Sequence, residues 1–383
     1  MENWRTVLEC QLQNNPPELT VEDATEIYSN APINDLMFVA MERRRAQVPG
    51  KLVTYMIDRN INYTNVCTIN CHFCSFYRAP GHKESYTQNV DQISERIVEL
   101  ERLGGSRILM QGGVNPSLPI EWYTELLEEL SKRHPSISLD CFSPIEIEGI
   151  SEVSGLSTIE VLSLFRDSGL HGLPGGGAEM LVDNVRRGIS PRKGSSENWL
   201  RVMSEAQSLG LITSATNVFG FGESHYERVE HMARIRTLQD EAALDDNPGF
   251  TSFVSWPVML ENNAFGKIGL RRNSTGLGAS AVEYLRHVAV SRIFLHNVDH
   301  IQASWPTMGL EVAQIALSGG ADDIGSTMME ENVVSASGTK KTMASIDELK
   351  RTILQSGFVP ALRDSEYNIL EISELAVNPL QVG

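Results

Sequence analysis

From residue 52 onward the chain alternates short runs of apolar and β-branched residues with longer stretches in which apolar side chains recur every three or four positions. That alternation is the pattern of βα units packed around a parallel sheet. It predicts strands over residues 61–66, 107–110, 137–142, 170–173, 211–219, 250–254, 298–303 and 323–327. Helices are predicted between them, over 90–103, 120–133, 157–167, 196–209, 226–241, 281–294 and 309–317. Eight strand slots predict an α/β chain closed into a (β/α)8 barrel of the TIM type, whose chemistry gathers at the C-terminal strand ends. The first fifty residues are helical in pattern instead; Thr20 stands as a cap before the acidic turn Val21-Glu22-Asp23-Ala24. The expected organisation is a helical extension over 1–50, the barrel core over 51–335, and a C-terminal helix and tail over 336–383 packing on the barrel. Residues 260–279 are rich in Asn and Gly and predict a long loop over the barrel mouth, ordered or mobile.

Composition narrows the class of partner. Forty-nine acidic against 32 basic residues give the 383 residues a formal charge of -17, whose field repels nucleic acid and anionic membrane surfaces. A small-molecule substrate is expected. The opening residues lack a basic segment followed by an apolar core, and no apolar run reaches the length of a membrane span, so a cytoplasmic location is expected. With 41% hydrophobic and 21% charged residues, the chain can bury a sizeable core.

The sharpest chemical signal is the placement of cysteine. Of five cysteines, Cys67, Cys71 and Cys74 are spaced C-x3-C-x2-C, directly after a predicted strand. This layout suits a metal site better than a disulfide framework. A loop of that length can wrap one iron–sulfur cubane, with three thiolates on three irons and the fourth iron open to an exchangeable ligand. The alternative is a structural zinc site with His72 as fourth ligand, although zinc sites favour C-x2-C pairs with a distant second pair. Phe73, Phe76 and Tyr77 would give the metal an apolar shell and a surface for stacking. Cys10 and Cys141 read as small hydrophobes.

These residues resemble the radical S-adenosylmethionine (SAM) superfamily, and the likeness extends over roughly 55–364. Within it the chain is similar to the cyclic dehypoxanthine futalosine synthases of the futalosine route to menaquinone. The blocks that carry this are Tyr63-Thr64-Asn65-Val66-Cys67, Phe76-Tyr77-Arg78, Gln111-Gly112-Gly113, Phe142-Ser143-Pro144-Ile145-Glu146-Ile147, and Leu173-Pro174-Gly175-Gly176-Gly177-Ala178-Glu179. Further blocks are Val229-Glu230-His231, Gln302-Ala303-Ser304-Trp305 and Gly325-Ser326-Thr327-Met328-Met329-Glu330-Glu331-Asn332. The triple glycine with Glu179, followed by Arg186-Arg187 and Pro191, resembles the cyclase more than two relatives of the same branch. Those relatives are aminofutalosine synthase and the tyrosine-using enzyme of the deazaflavin pathway.

The resemblance implies a [4Fe-4S] cluster on Cys67, Cys71 and Cys74, and SAM on the open iron. It also implies a 5′-deoxyadenosyl radical that takes hydrogen from the substrate before a carbon–carbon bond closes. An external one-electron reductant of the flavodoxin or ferredoxin type is implied, and a homodimer stays open. Phe73, Tyr77, Gln111, Gly112, Gly113, Ser143 and Glu146 are expected to hold SAM, with a tight turn as the other reason for the glycines and a helix cap as the other reason for Glu146. Gly175, Gly176, Gly177, Arg187, Asn217, Trp256, Gln302, Ser304 and Trp305 are expected around the substrate. Arg187 and Lys193 would meet a carboxylate. Glu179 is expected to accept a hydrogen bond or a proton. Two positions depart from the cyclase pattern: Asp140 and Phe221 stand where histidine is common. Asp140 and Glu223 are expected to supply carboxylates in place of those imidazoles. Glu330 and Glu331 either line the site or cap the next helix.

Overall fold

The computed structural model describes residues 3–373 apart from 49, 272–275, 331 and 340, with backbone alone for 268–271. Its strands are β1 (Leu52–Met56), β2 (Asp58–Ile61), β3 (Arg107–Met110), β4 (Ser138–Cys141), β5 (Gly172–Leu173), β6 (Ile212–Phe219), β7 (Phe250–Pro257), β8 (His300–Gln302), β9 (Asp323–Ser326), β10 (Val359–Arg363) and β11 (Ile369–Ile372). They form one curled sheet in the order β11-β10-β1-β9-β8-β7-β6-β5-β4-β3-β2. All pairs are parallel except β10 with β11. A parallel bridge between Arg59 and Met329, with the Asn60 N–H donating to the Met329 carbonyl at 2.9 Å, returns the chain after β9 to β2. The result is the expected TIM-type radical SAM architecture.

The helices follow from local rules. In the helix Val90–Arg102, Ile93, Ile97 and Leu100 are buried, a one-face spacing that removes three aliphatic side chains from water at ~1.5–3 kcal/mol each. Asn89 and Gln92 cap its start reciprocally. Thr20 accepts a hydrogen bond from the Asp23 N–H at the start of Val21–Asn30. That helix is tied to the barrel by Tyr28, whose hydroxyl accepts from Arg228 at 3.0 Å and shares a hydrogen bond of 2.9 Å with His287 Nδ1. Cys141 is buried and Cys10 half-buried.

Two parts of the strand pattern differ from expectation. The first strand is not 61–66 but β1 continuing into β2; Thr64 and Val66 make only isolated bridges, to Thr87 and Arg78. Asp58 and Asn60, polar but buried, break the apolar run, because this strand points charged groups into the barrel. The second is β10, which joins the sheet beside β1 across about three hundred residues of sequence. At the end of β10 the Arg363 Nε donates to Asp323 at 2.6 Å, and just beyond it the Ser365 hydroxyl donates to Asp140 at 2.9 Å. Tyr367 stacks on His300 at 3.9 Å. Residues 363–367 thereby close the barrel floor. Helices Pro144–Ser154 and Asp183–Ile189 were not expected, nor was the helix Ala264–Arg271, which stands inside the segment 260–279 predicted as a long loop. Among the described residues no helix is long and apolar enough to cross a membrane.

Candidate active site

Two adjoining chambers occupy the barrel. The upper, about 270 Å³, lies at the C-terminal strand ends and is lined by Cys67, Cys71 and Cys74, by Phe73, Phe76 and Tyr77, and by the segments after β3, β4 and β5. The lower, about 160 Å³, reaches the floor and is lined by Arg107, Asp140, Ser252, Gln302, Arg363 and Tyr367, among others. Gln111, Gly176 and Trp256 line both and so form the neck between them.

The three cysteines are drawn to one wall by a short loop packed against Gly113. A Cβ at Gly113 would lie 2.2 Å from the Val66 carbonyl oxygen and 2.6 Å from the Cys67 Cβ. Close approach, not a positive φ, is therefore why glycine stands there. Burial pushes the Cys74 thiol up to about 11, with Cys71 adding to the effect, and burial also raises Cys67. Three thiolates in such a place need cationic iron beside them to be stable. Among the described residues no three His, Cys, Asp or Glu side chains converge as a single metal ion requires. Three thiols on one loop, spaced C-x3-C-x2-C, fit a multi-iron cluster better than a zinc site.

Opposite the cysteines, Glu146 is buried and accepts from the Tyr63 hydroxyl at 2.7 Å, the Gly112 N–H at 2.9 Å and the Ser143 hydroxyl at 2.6 Å. Desolvation outweighs these donors and pushes its carboxyl up to about 7. Ser143 also caps the following helix by accepting from the Glu146 N–H. The Gln111 side chain donates to the Phe142 carbonyl at 3.0 Å.

Glu179 has φ +38°, a conformation that a non-glycine residue adopts only when its surroundings enforce it. Its carbonyl is clamped by the Asn217 side chain at 2.8 Å and the Val218 N–H at 2.8 Å. Its Oε1 meets Lys193 Nζ at 2.6 Å, and Arg186 lies 4.0 Å from Oε2. Oε2 is buried without a hydrogen-bond partner.

Of the residues singled out in the sequence, the three cysteines, Phe73, Tyr77, Gln111, Gly112, Gly113, Ser143, Glu146, Gly176, Gly177, Glu179 and Trp256 meet in the upper chamber. Asp140, Gly175 and Gln302 face the lower. Five are placed elsewhere. Arg187 is exposed and bonds Asn184 at 2.6 Å. Its neighbour Arg186 turns inward instead, donating to the carbonyls of Gly177, Ala178 and Gly194. Glu223 is consumed in its own turn, accepting from the Gly220 and Phe221 N–H groups and from Arg228. Asn217 supports Glu179 from behind and lines neither chamber. Ser304 is buried beside Tyr284. Trp305 is a core residue whose indole N–H donates to the Ser326 carbonyl at 3.0 Å. Glu330 is ion-paired with Arg59 and Arg96, and Glu331 lies outside the described residues. Phe221, 5.5 Å from Phe73, belongs to the apolar wall behind the cysteine loop. Asn65, noted in sequence only as part of the block before Cys67, lines the upper chamber, and so does Asn62, which sequence reasoning missed; it also missed Arg107 and Tyr367 below.

The radical SAM superfamily matches over residues 61–235, and the CofH/MqnC C-terminal region over 247–376. The first region supplies the cysteine loop, and the second supplies Trp256, Gln302 and the barrel floor. The cyclic dehypoxanthine futalosine synthase of Halalkalibacterium halodurans is 40% identical over 94% of each chain. That of Streptomyces coelicolor is 38% identical over 94% of this chain and 88% of its own. The 5-amino-6-(D-ribitylamino)uracil–L-tyrosine 4-hydroxyphenyl transferase of Methanocaldococcus jannaschii is 33% identical over 92% and 98%. Among solved structures, the [FeFe]-hydrogenase maturase HydG superposes with a TM-score of 0.72 at 16% identity, covering 94% of this chain and 75% of that one. Methylornithine synthase does so with 0.69 at 16%, covering 94% and 97%. These two show the shared fold. The family uses a [4Fe-4S] cluster and SAM, and Cys67, Cys71 and Cys74 fit its motif. The chain belongs to the radical SAM superfamily, in the branch that ends in the CofH/MqnC C-terminal region.

Proposed function

We propose that this enzyme cyclises dehypoxanthine futalosine by forming a carbon–carbon bond between its sugar-derived part and its benzoate ring, a step of menaquinone biosynthesis. Identity of 40% over 94% of each chain with a cyclase of that name supports this reading. The observation that carries it is Glu179, which lines the same chamber as the three cysteines and has one carboxylate oxygen, Oε2, buried without a hydrogen-bond partner. When bound, the cluster and SAM supply a radical able to take hydrogen from an unactivated carbon. The protein does the rest. Tyr77 and Phe76 wall the place of the adenosyl group, while Ser143 and Glu146 face its sugar. Trp256 at the neck offers a flat side to an aryl ring. Ring closure leaves a ring radical that must lose one electron, to an external one-electron carrier, and one proton before aromaticity returns; Glu179 takes the proton, with Lys193 and Arg186 placing positive charge beside the carboxylate. We place the enzyme in the cytoplasm, served by a small one-electron donor protein of the flavodoxin or ferredoxin type.

One observation favours a second reading. The lower chamber is lined by Ser214, Thr251, Ser252 and Ser365 beside Asp140. That run of hydroxyl-bearing side chains suits a polyol. A transferase joining a tyrosine fragment to a ribitylaminouracil has such a substrate. Anaerobic turnover of the reconstituted enzyme with SAM and dithionite separates the two. Mass detection of a cyclised product from dehypoxanthine futalosine supports the first reading; 5′-deoxyadenosine without that product, and an adduct from tyrosine and the diaminouracil, replaces it with the second.

A further inference from the structure

The segment after the triple glycine touches the cysteine loop as well as Glu179. The Ser190 hydroxyl lies 3.0 Å from Cys71 Sγ. Ser190 is 2% exposed and terminates the helix Asp183–Ile189, its N–H donating to the Arg186 carbonyl at 2.9 Å and its carbonyl accepting from the Lys193 N–H at 3.1 Å. The two segments are locked by backbone as well: the His72 N–H donates to the Ile189 carbonyl at 3.0 Å. Lys193 Nζ sits 5.2 Å from the ring of Phe73, between Cys71 and Cys74. The hydroxyl is therefore held against the sulfur by groups that cannot easily move away.

We propose that Ser190 tunes the cluster by donating a hydrogen bond to the sulfur of Cys71. A thiolate bound to iron has no proton to give, so the hydroxyl is the donor. A hydrogen bond to a ligating sulfur withdraws charge and stabilises the more negative reduced cluster, raising the reduction potential and easing arrival of the electron. Ser190 itself lines neither chamber and acts through Cys71, so it is a positioning and tuning residue. The neighbouring Arg186 and Lys193 place the same segment against Glu179, which makes one short stretch of chain contact both the cluster ligand and the proposed proton acceptor. The proposal rests on the cluster and is independent of which substrate the enzyme takes.

The test needs no substrate. Reconstituted wild type, Ser190→Ala and Ser190→Thr are titrated with reductant while the paramagnetic signal of the reduced cluster is followed, with iron content measured in parallel. The expected result is a midpoint more negative in Ser190→Ala at equal iron content, and a midpoint near wild type in Ser190→Thr, which keeps the hydroxyl. In heavy water, the reduced wild-type cluster also shows an exchangeable deuteron coupling that Ser190→Ala lacks. Coincident midpoints for wild type and Ser190→Ala overturn the proposal. Failure of Ser190→Ala to hold iron, with no loss of deuteron coupling attributable to the hydroxyl in a partly loaded sample, overturns it equally, since Ser190 would then only support the loop.

Discussion

Lys193 Nζ stands 2.6 Å from Glu179 Oε1, and both side chains are at least nine-tenths buried. The pair leaves Oε2 buried without a hydrogen-bond partner, with Arg186 4.0 Å away, on a residue that lines the chamber of the cysteines. Hydrogen abstraction and proton loss can therefore be separated by mutation. Glu179→Gln is expected to keep SAM cleavage to 5′-deoxyadenosine while cyclised product falls by about 10²–10⁴-fold, the usual worth of a placed acid or base. Chromatography of both products from one reaction checks it, and a proportional loss of the two would place Glu179 in SAM binding instead.

Glu146 offers a pH signature. Its folded value of about 7 lies above the ordinary 4.5, so the native state holds the proton more tightly than the unfolded chain. Its contribution to stability is full below about 4.5 and is lost as pH rises through about 7. Glu146→Gln should flatten the fall in denaturation midpoint across that window, as seen by urea unfolding at a series of pH values. A slope equal to that of wild type would contradict the assignment.

The adjacent arginines make a sharp contrast. Arg186 supports three carbonyls around the glycine loop from a buried position, and Arg186→Ala leaves them unpaired at ~1–3 kcal/mol for each buried group. Arg187 is exposed on the same helix, and Arg187→Ala should leave KM and kcat within about twofold of wild type, as for most surface changes. Thermal unfolding and steady-state kinetics on both variants decide the matter; a raised KM in Arg187→Ala would restore it to the substrate site.

Cys71→Ala is expected to abolish the visible absorption of the cluster and SAM cleavage together. Cys10→Ala, in the N-terminal helix Asn3–Cys10, should alter neither. Absorption spectra after anaerobic reconstitution check both, and retained cluster in Cys71→Ala would contradict the ligand set.

Much of this was legible in sequence where the signal is local. C-x3-C-x2-C lies within one loop, and the helix faces repeat within a few turns, so spacing alone exposed both. The first strand was missed because Asp58 and Asn60 face the barrel interior and interrupt its apolar run. Strand β10 was missed because its pairing with β1 spans nearly the whole chain. The choice between Arg186 and Arg187 turns on the rotation of a single short helix, which composition does not set. Glu223 read as a free carboxylate because its partners, the Gly220 and Phe221 N–H groups and the Arg228 side chain, come together only in the folded turn and the helix after it. Ser190 carried no signal at all, being one serine among many until the fold sets it against Cys71.

The central claim is an iron that the protein leaves open to SAM, and Mössbauer spectra of the reconstituted protein, taken before and after SAM is added, test it most directly. The account predicts that a single iron of the cluster changes its isomer shift while the others keep theirs. Spectra that do not change, or a protein that binds a colourless divalent ion in place of a cluster, would contradict it.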